Sequence, residues 1–211
     1  MQALWMILAS LAFSTMGVCI KLGSASFSTG EVVFYRSVVA FLLLQGFVLA
    51  SGKSLRTPHF RAHLLRSAVG FSAMALYFAT IARIPLATAV TLVYTSPLFM
   101  GLFLLFWYRE SVCRASSFYV LLGFVGVVAL LQPTLAREQW LGGAMGLASG
   151  FATSIAFLNI RRLGGLGEPE WRTVYFFSAF TTLAGLIWVL GEGGFSRPDA
   201  HGAWLMLGVG C

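Results

Sequence analysis

Residues 84–108 read IPLATAVTLVYTSPLFMGLFLLFWY, a run of 25 residues without one Asp, Glu, Lys or Arg. A helix needs about 20 predominantly apolar residues to cross the roughly 30 Å hydrocarbon core of a bilayer, so this run can span once. Leu102 to Phe106 is apolar on every side, whereas a membrane strand alternates polarity. The run reads as a transmembrane helix. Working outward, further charge-free stretches lie at 1–20, 37–52, 67–82, 115–136, 139–160, 173–191 and 200–211. The stretch at 37–52 reaches spanning length only by starting near Val32 and taking Arg36 into the membrane, and the stretch at 200–211 is cut short by the chain end. The spacing predicts seven complete spans and the start of an eighth: an all-α, polytopic integral membrane bundle.

Composition says the same. Of 211 residues 58% are hydrophobic and 10% charged, with a mean hydropathy of +0.85, where a soluble domain carries roughly 25% charged residues. A soluble enzyme, a nucleic-acid-binding module and a disordered scaffold are excluded on that ground. The first span is retained as a helix and not a cleaved signal, because no Lys or Arg precedes Leu4 and its apolar run is long. The 14 basic residues against 7 acidic ones punctuate apolar runs. Lys53, Arg56, Arg61, Arg66, Arg109, Arg114, Arg161, Arg162 and Arg172 fall in one set of connections, and only Lys21, Arg83, Arg137 and Arg197 in the other. The positive-inside rule then puts the N-terminus in the cytoplasm of a cell (inner) membrane. Cys19, Cys113 and Cys211 show neither paired spacing nor a His partner, so no disulfide framework and no metal site is indicated.

An offset of 139 aligns Leu8-Ala9-Ser10 with Leu147-Ala148-Ser149 and Glu31 with Glu170. It also aligns Ala40-Phe41 with Ala179-Phe180, Leu44 with Leu183 and Gly46 with Gly185. Spans one and two then correspond to six and seven. A five-span unit is odd, so its second copy enters the membrane from the opposite side, the inverted-repeat plan of many secondary transporters. The expected organisation is a first repeat at 1–136 and the start of a second at 139–211, which stops short of a complete ten-span protein.

Three stretches carry a family likeness: Glu31-Val32-Val33-Phe34-Tyr35-Arg36 opening span two, Ile84-Pro85-Leu86-Ala87-Thr88-Ala89-Val90 leading to Pro97, and Glu110 closing span four. The turn Tyr77-Ala79-Ile84-Pro85 adds to them. With these residues the chain resembles the drug/metabolite transporter superfamily, EamA-type branch. The resemblance implies two five-helix inverted repeats and a secondary transporter moving a small organic metabolite by alternating access.

Arg36 is the most informative single residue, because a guanidinium inside a span is costly unless it snorkels or finds partners, and such residues often mark ligand paths. Lys21, Glu31 and Arg83 are expected at the same outer mouth, where basic charge would concentrate anions. In span four Thr88, Thr91 and Thr95 recur at steps of three and four beside Tyr94, and Pro97 lacks the amide that would bond the carbonyl of Val93. Interrupted helices near the midplane are where transporters build sites. Arg36, Thr91, Tyr94, Thr95, Tyr77 and Ser14 are thus the candidate substrate contacts, Lys21, Glu31 and Arg83 the mouth charges, and Pro97 the kink. Against each stands a plainer reading: a snorkelling arginine, hydroxyls bonded to their own helix and an inherited kink.

Gly142, Gly146 and Gly150, with Ala144, Ala148 and Ala152 alongside, form a small-residue seam expected to pack helices closely. No GxGxxG, P-loop or HExxH pattern is present where it would matter. His59, His63 and His201 are placed in connections, and no carboxylate lies deep in a span. No catalytic cluster and no cofactor is expected. The expected partners are a small-molecule substrate, with an anionic or carboxylate-bearing one favoured by Arg36, and the lipid bilayer. A homodimer is compatible with this reading. The competing reading is a non-transporting membrane structural or assembly subunit that uses the glycine seam.

Overall fold

The computed structural model describes residues 2–23, 27–106, 122, 123, 125, 126, 129 and 140–195. The described residues form helices α1 (Gln2–Gly23), α2 (Thr29–Ser51), α3 (Phe60–Arg83), α4 (Leu86–Val93), α5 (Ser96–Phe106), α6 (Trp140–Gly165) and α7 (Glu170–Gly191). Five segments among them have the length and apolarity to cross a membrane: Thr29–Ser51, Phe60–Arg83, Leu86–Leu104, Trp140–Gly165 and Glu170–Gly191. The protein is a polytopic helical membrane protein, as its charge-free stretches indicate. Of the expected fifth span only residues 122, 123, 125, 126 and 129 are described, all helical; the start of the eighth, and Glu110, lie outside the described residues.

Helix ends follow local chemistry. Ser28 caps α2: its hydroxyl accepts from the Glu31 amide at 3.2 Å, while Glu31 Oε2 accepts from the Ser28 amide at 2.9 Å. This reciprocal box satisfies two orphan N–H groups. α2 stops at Gly52, whose φ of 58° is the left-handed conformation glycine adopts without penalty. Pro85 ends α3, because the residue before a proline is pushed out of helical geometry, and opens α4 with its carbonyl accepting from Ala89 at 3.0 Å. Several boundaries differ from the sequence reading: α6 runs on through Arg161 and Arg162 to Gly165, and the start of α3 moves furthest. α3 starts at Phe60, before the charge-free stretch, so Arg61, His63 and Arg66 are helical, and His63 is a buried helix residue and not part of a connection.

The chain forms two compact units, one of residues 1–64 and 168–211 and one of residues 65–167. In the first, α2 and α7 pack antiparallel. Gly185 permits the contact, since a Cβ there would come within 3.1 Å of Phe34 Cα. Towards the opposite ends of that contact Tyr175 Oη donates to Gln45 Oε1 at 2.7 Å, and Gly30 lies under Trp188 and Glu192. In the second unit α6 lies along α3, α4 and α5. Ser149 Oγ donates to the Ala73 carbonyl at 2.8 Å, and Phe151 packs its ring against Phe99 and Phe103 at 5.6 and 5.4 Å.

Candidate functional site

The segment 86–106 is not one helix. α4 ends at Val93, Tyr94 and Thr95 form a turn, and α5 restarts at Ser96. Across the break the Thr95 amide donates to the Leu92 carbonyl at 3.1 Å and the Leu98 amide to the Thr95 carbonyl at 2.9 Å, both three-residue bonds in place of the helical four. Pro97, second in α5, has no N–H to continue the ladder. The Thr95 hydroxyl donates to the Leu92 carbonyl at 2.6 Å, so that one oxygen takes two donors at the break.

α6 covers the break with its glycines. A Cβ on Gly150 would stand 2.6 Å from Thr95 Oγ1 and 2.9 Å from the Leu92 carbonyl oxygen. On Gly146 it would meet Leu92 and Thr80, and on Gly142 Ile84. The seam is therefore occupied by packing within this unit.

The sequence expects Thr88, Thr91 and Thr95 on one face. The structure buries Thr88 and Thr95 and exposes Thr91, because within α4 a step of three residues turns Thr91 about 60° away from Thr88. The Thr91 hydroxyl donates to the Ala87 carbonyl at 2.9 Å. Tyr94 is 69% exposed beside the break, and Tyr77 of α3, half-buried, lies within electrostatic reach of it. Arg83, also of this unit, is exposed and donates to the Ala79 carbonyl of its own helix at 2.9 Å.

The remaining candidates belong to the first unit. Arg36 is half-buried, with Nε donating to Met16 Sδ at 3.4 Å. Lys21 sits in the last turn of α1. Ser14 is exposed on α1 and donates to the Ser10 carbonyl at 2.9 Å. Glu31 is buried in the capping box, a role legible in Ser28-x-x-Glu31 that the mouth-charge reading passed over.

A second polar group in this unit was not foreseen. Glu168, in the connection from α6 to α7, accepts from the Thr57 hydroxyl through Oε1 and from Arg172 Nη1 at 2.7 Å through Oε2. Arg172 Nη2 donates to the Ser54 carbonyl at 3.0 Å. His63 Nε2 stands 3.4 Å from Glu168 Oε2, and its ring packs on Phe176 at 4.9 Å. Burial pushes the Glu168 carboxyl up, but the bonds from Thr57 and Arg172, the nearby His63 and the Arg172 charge outweigh it and hold it down at about 2. Among the described residues no cluster of three His, Cys, Asp or Glu is arranged to hold a metal.

Known proteins fit this architecture. The sequence model of the EamA-like transporter family matches residues 1–132. The pseudopaline exporter CntI of Pseudomonas aeruginosa is 30% identical over 205 residues, covering 97% of this chain and 71% of the exporter. A riboflavin transporter of Vibrio cholerae is 28% identical over 97% of this chain and 69% of its own length. An S-adenosylmethionine uptake transporter of Rickettsia bellii is 28% identical over 61% of this chain and 45% of its own. One crystal structure superposes with a TM-score of 0.65 at 21% identity, covering 96% of this chain and 73% of the other, which establishes the fold. The chain belongs to the EamA-like transporter family and is a multi-pass membrane transporter of small molecules.

Proposed function

We propose that the protein is a secondary transporter that carries a small anionic metabolite, most simply a carboxylate, by alternating access between two inverted repeats at 1–136 and 139–211, with its N-terminus in the cytoplasm of the inner membrane. The observation that carries the transport reading is the interrupted segment at Tyr94–Thr95, held against glycine-lined α6. A break in a spanning helix is tolerated where it lines a path or is buried in protein, and it is a common place for a substrate site. Support for the repeat comes from helix bounds: shifted by 139 residues, α1 and α2 begin and end within three residues of α6 and α7.

The substrate charge rests on Arg36. Its planar donors can hold a carboxylate bidentately, and its charge survives burial. In this reading Lys21, Arg36 and Ser14 are the contacts offered by the first unit, and Arg83, Tyr77, Thr91, Tyr94 and Thr95 those offered by the second. The relatives' substrates supply the first panel: pseudopaline, riboflavin and S-adenosylmethionine, extended by simple mono- and dicarboxylates.

The test is flux into proteoliposomes containing the full chain, compared with empty vesicles. Flux of an anionic substrate is expected to fall at least about tenfold in Arg36→Gln, the scale of one lost charge-assisted pair, and to recover in part in Arg36→Lys. Wild-type flux in Arg36→Gln at matched insertion would make the arginine a snorkelling anchor. No flux for any member of the panel would favour a structural subunit.

A further inference from the structure

The polar group around Glu168 lies outside the proposed path, and its chemistry points elsewhere. Glu168 and Arg172 tie two chain segments together: Glu168 holds the Thr57 hydroxyl, and Arg172 holds the Ser54 carbonyl, both in the connection between α2 and α3. Together they strap that connection to the first turn of α7. The strap hinges on one atom, Glu168 Oε2, which faces both Arg172 Nη1 at 2.7 Å and His63 Nε2 at 3.4 Å.

We propose that His63 is a proton-binding site and that its protonation releases the Arg172–Ser54 tie of this strap, leaving the Thr57–Glu168 tie in place. While the imidazole is neutral, one carboxylate and one guanidinium balance. Once protonated, His63 becomes a second cation competing for Oε2, and the site carries an uncompensated positive charge. His63 has no exposed side-chain surface, whereas Arg172 is 16% exposed. A buried charge needs the carboxylate more than a partly solvated one does. His63 therefore takes Oε2, and Arg172 turns to water, letting go of the Ser54 carbonyl.

The charged and titratable groups around His63 come from three elements. Facing it are Glu168 from the connection before α7 and Arg172 and Phe176 from α7. Thr57 approaches the same carboxylate from the connection before α3. Along its own chain His59 precedes it by about one turn and Arg66 follows by one. Lys53 is directed onto the Phe47 and Trp171 rings at 4.4 and 5.5 Å. Glu168 is held at about 2, so it stays ionised wherever histidine titrates. Neither His63 ring nitrogen has a hydrogen-bond partner among the described residues, and the carboxylate oxygen 3.4 Å from Nε2 favours the neutral tautomer that carries its proton there. The proposal deepens the transport reading and rests on it for its role: on the topology proposed above, the strap lies at the cytoplasmic end, where a proton could set whether that end opens.

The test reads the strap directly, without substrate. Amide exchange of residues 52–59 is measured on the full chain in detergent, corrected for intrinsic pH dependence, from about pH 7.5 to about pH 5.5, the range over which histidine titrates. Exchange in the wild type is expected to rise about tenfold towards low pH, the response of a one-proton linkage per pH unit. His63→Gln, which keeps a neutral polar group, is expected to stay protected throughout, with His63→Asn as the replacement should Gln fail to fold. Glu168→Gln is expected to exchange fast at both ends of the range, and His59→Gln to behave as wild type. Wild-type exchange that is flat or slows at low pH, or a pH response that survives in His63→Gln, would overturn the proposal. Flux across the substrate panel is measured separately. Its absence would overturn the transport reading while leaving the strap standing, and flat exchange would do the reverse.

Discussion

Replacing Gly150 by alanine separates helix propensity from packing, because the two effects have opposite signs there. In a helix interior alanine is favoured over glycine by about 1 kcal/mol. At Gly150 the new Cβ would stand 2.6 Å from Thr95 Oγ1 and 2.9 Å from the Leu92 carbonyl oxygen, where ordinary contact begins near 3.4 Å. The second neighbour is backbone and cannot rotate away, so α6 must move off the break or the Thr95 hydroxyl must leave the Leu92 carbonyl. Overpacking of this kind costs about 1–3 kcal/mol, and losing the Thr95 bond about 1 kcal/mol more. The net expectation for Gly150→Ala is a destabilisation of about 1–3 kcal/mol. Gly46 is the internal control, since a Cβ there meets nothing within 4 Å, and Gly46→Ala is expected to be neutral or stabilising by up to about 1 kcal/mol. Denaturant unfolding in mixed micelles, followed by far-ultraviolet circular dichroism, measures both. A Gly150→Ala protein as stable as wild type, or a Gly46→Ala protein equally weakened, would refute the claim that α6 is seated on the break through this glycine.

Removing the Ser149 hydroxyl deletes a buried bond from α6 to the Ala73 carbonyl, so Ser149→Ala is expected to cost about 1 kcal/mol in the same unfolding measurement. Glu168 is depressed from 4.5 to about 2, so its contribution is present in full above the unfolded value and is lost as pH falls from about 4.5 towards about 2. Acid titration of unfolding should show that loss in the wild type and its absence in Glu168→Gln. Reporter fusions after Lys53 and after Arg137 should give inside and outside signals respectively, and the same signal from both would end the proposed topology.

Much of the fold is legible in the sequence because the bilayer imposes one rule on every spanning segment. Absence of charge located α1 and α7 to within three residues of their ends. α3 departs from that reading because Arg61, His63 and Arg66 lie inside the helix. A charge-free window cannot see a helix that carries charge where neighbouring side chains receive it, and Glu168, more than 100 residues away, is one such neighbour for His63. The glycine seam was legible as packing, since periodicity of four places small residues on one face. What it packs against was not, because that depends on where α4 stops.

The site was less legible than the fold, for a reason that bears on how its residues act. Spacing put Thr88, Thr91 and Thr95 on one helical face, but a step of three turns Thr91 about 60° off Thr88 inside α4 itself, and Thr91 is exposed while Thr88 and Thr95 are buried. The helix yields at Tyr94–Thr95, ahead of the proline, where the Thr95 amide turns from the four-residue ladder to the Leu92 carbonyl. The consequence is a division of labour. Thr95 is committed to the Leu92 carbonyl and holds the turn, so Thr95→Val should act mainly on stability. Thr91 and Tyr94 are exposed beside the turn, and the Tyr94 hydroxyl is the group in this segment best placed to meet a solute. Tyr94→Phe is therefore expected to reduce flux with little change in unfolding, and Thr95→Val to do the opposite. Parallel losses of flux and stability in both variants would mean that the interrupted segment serves only as a kink in the packing of α6.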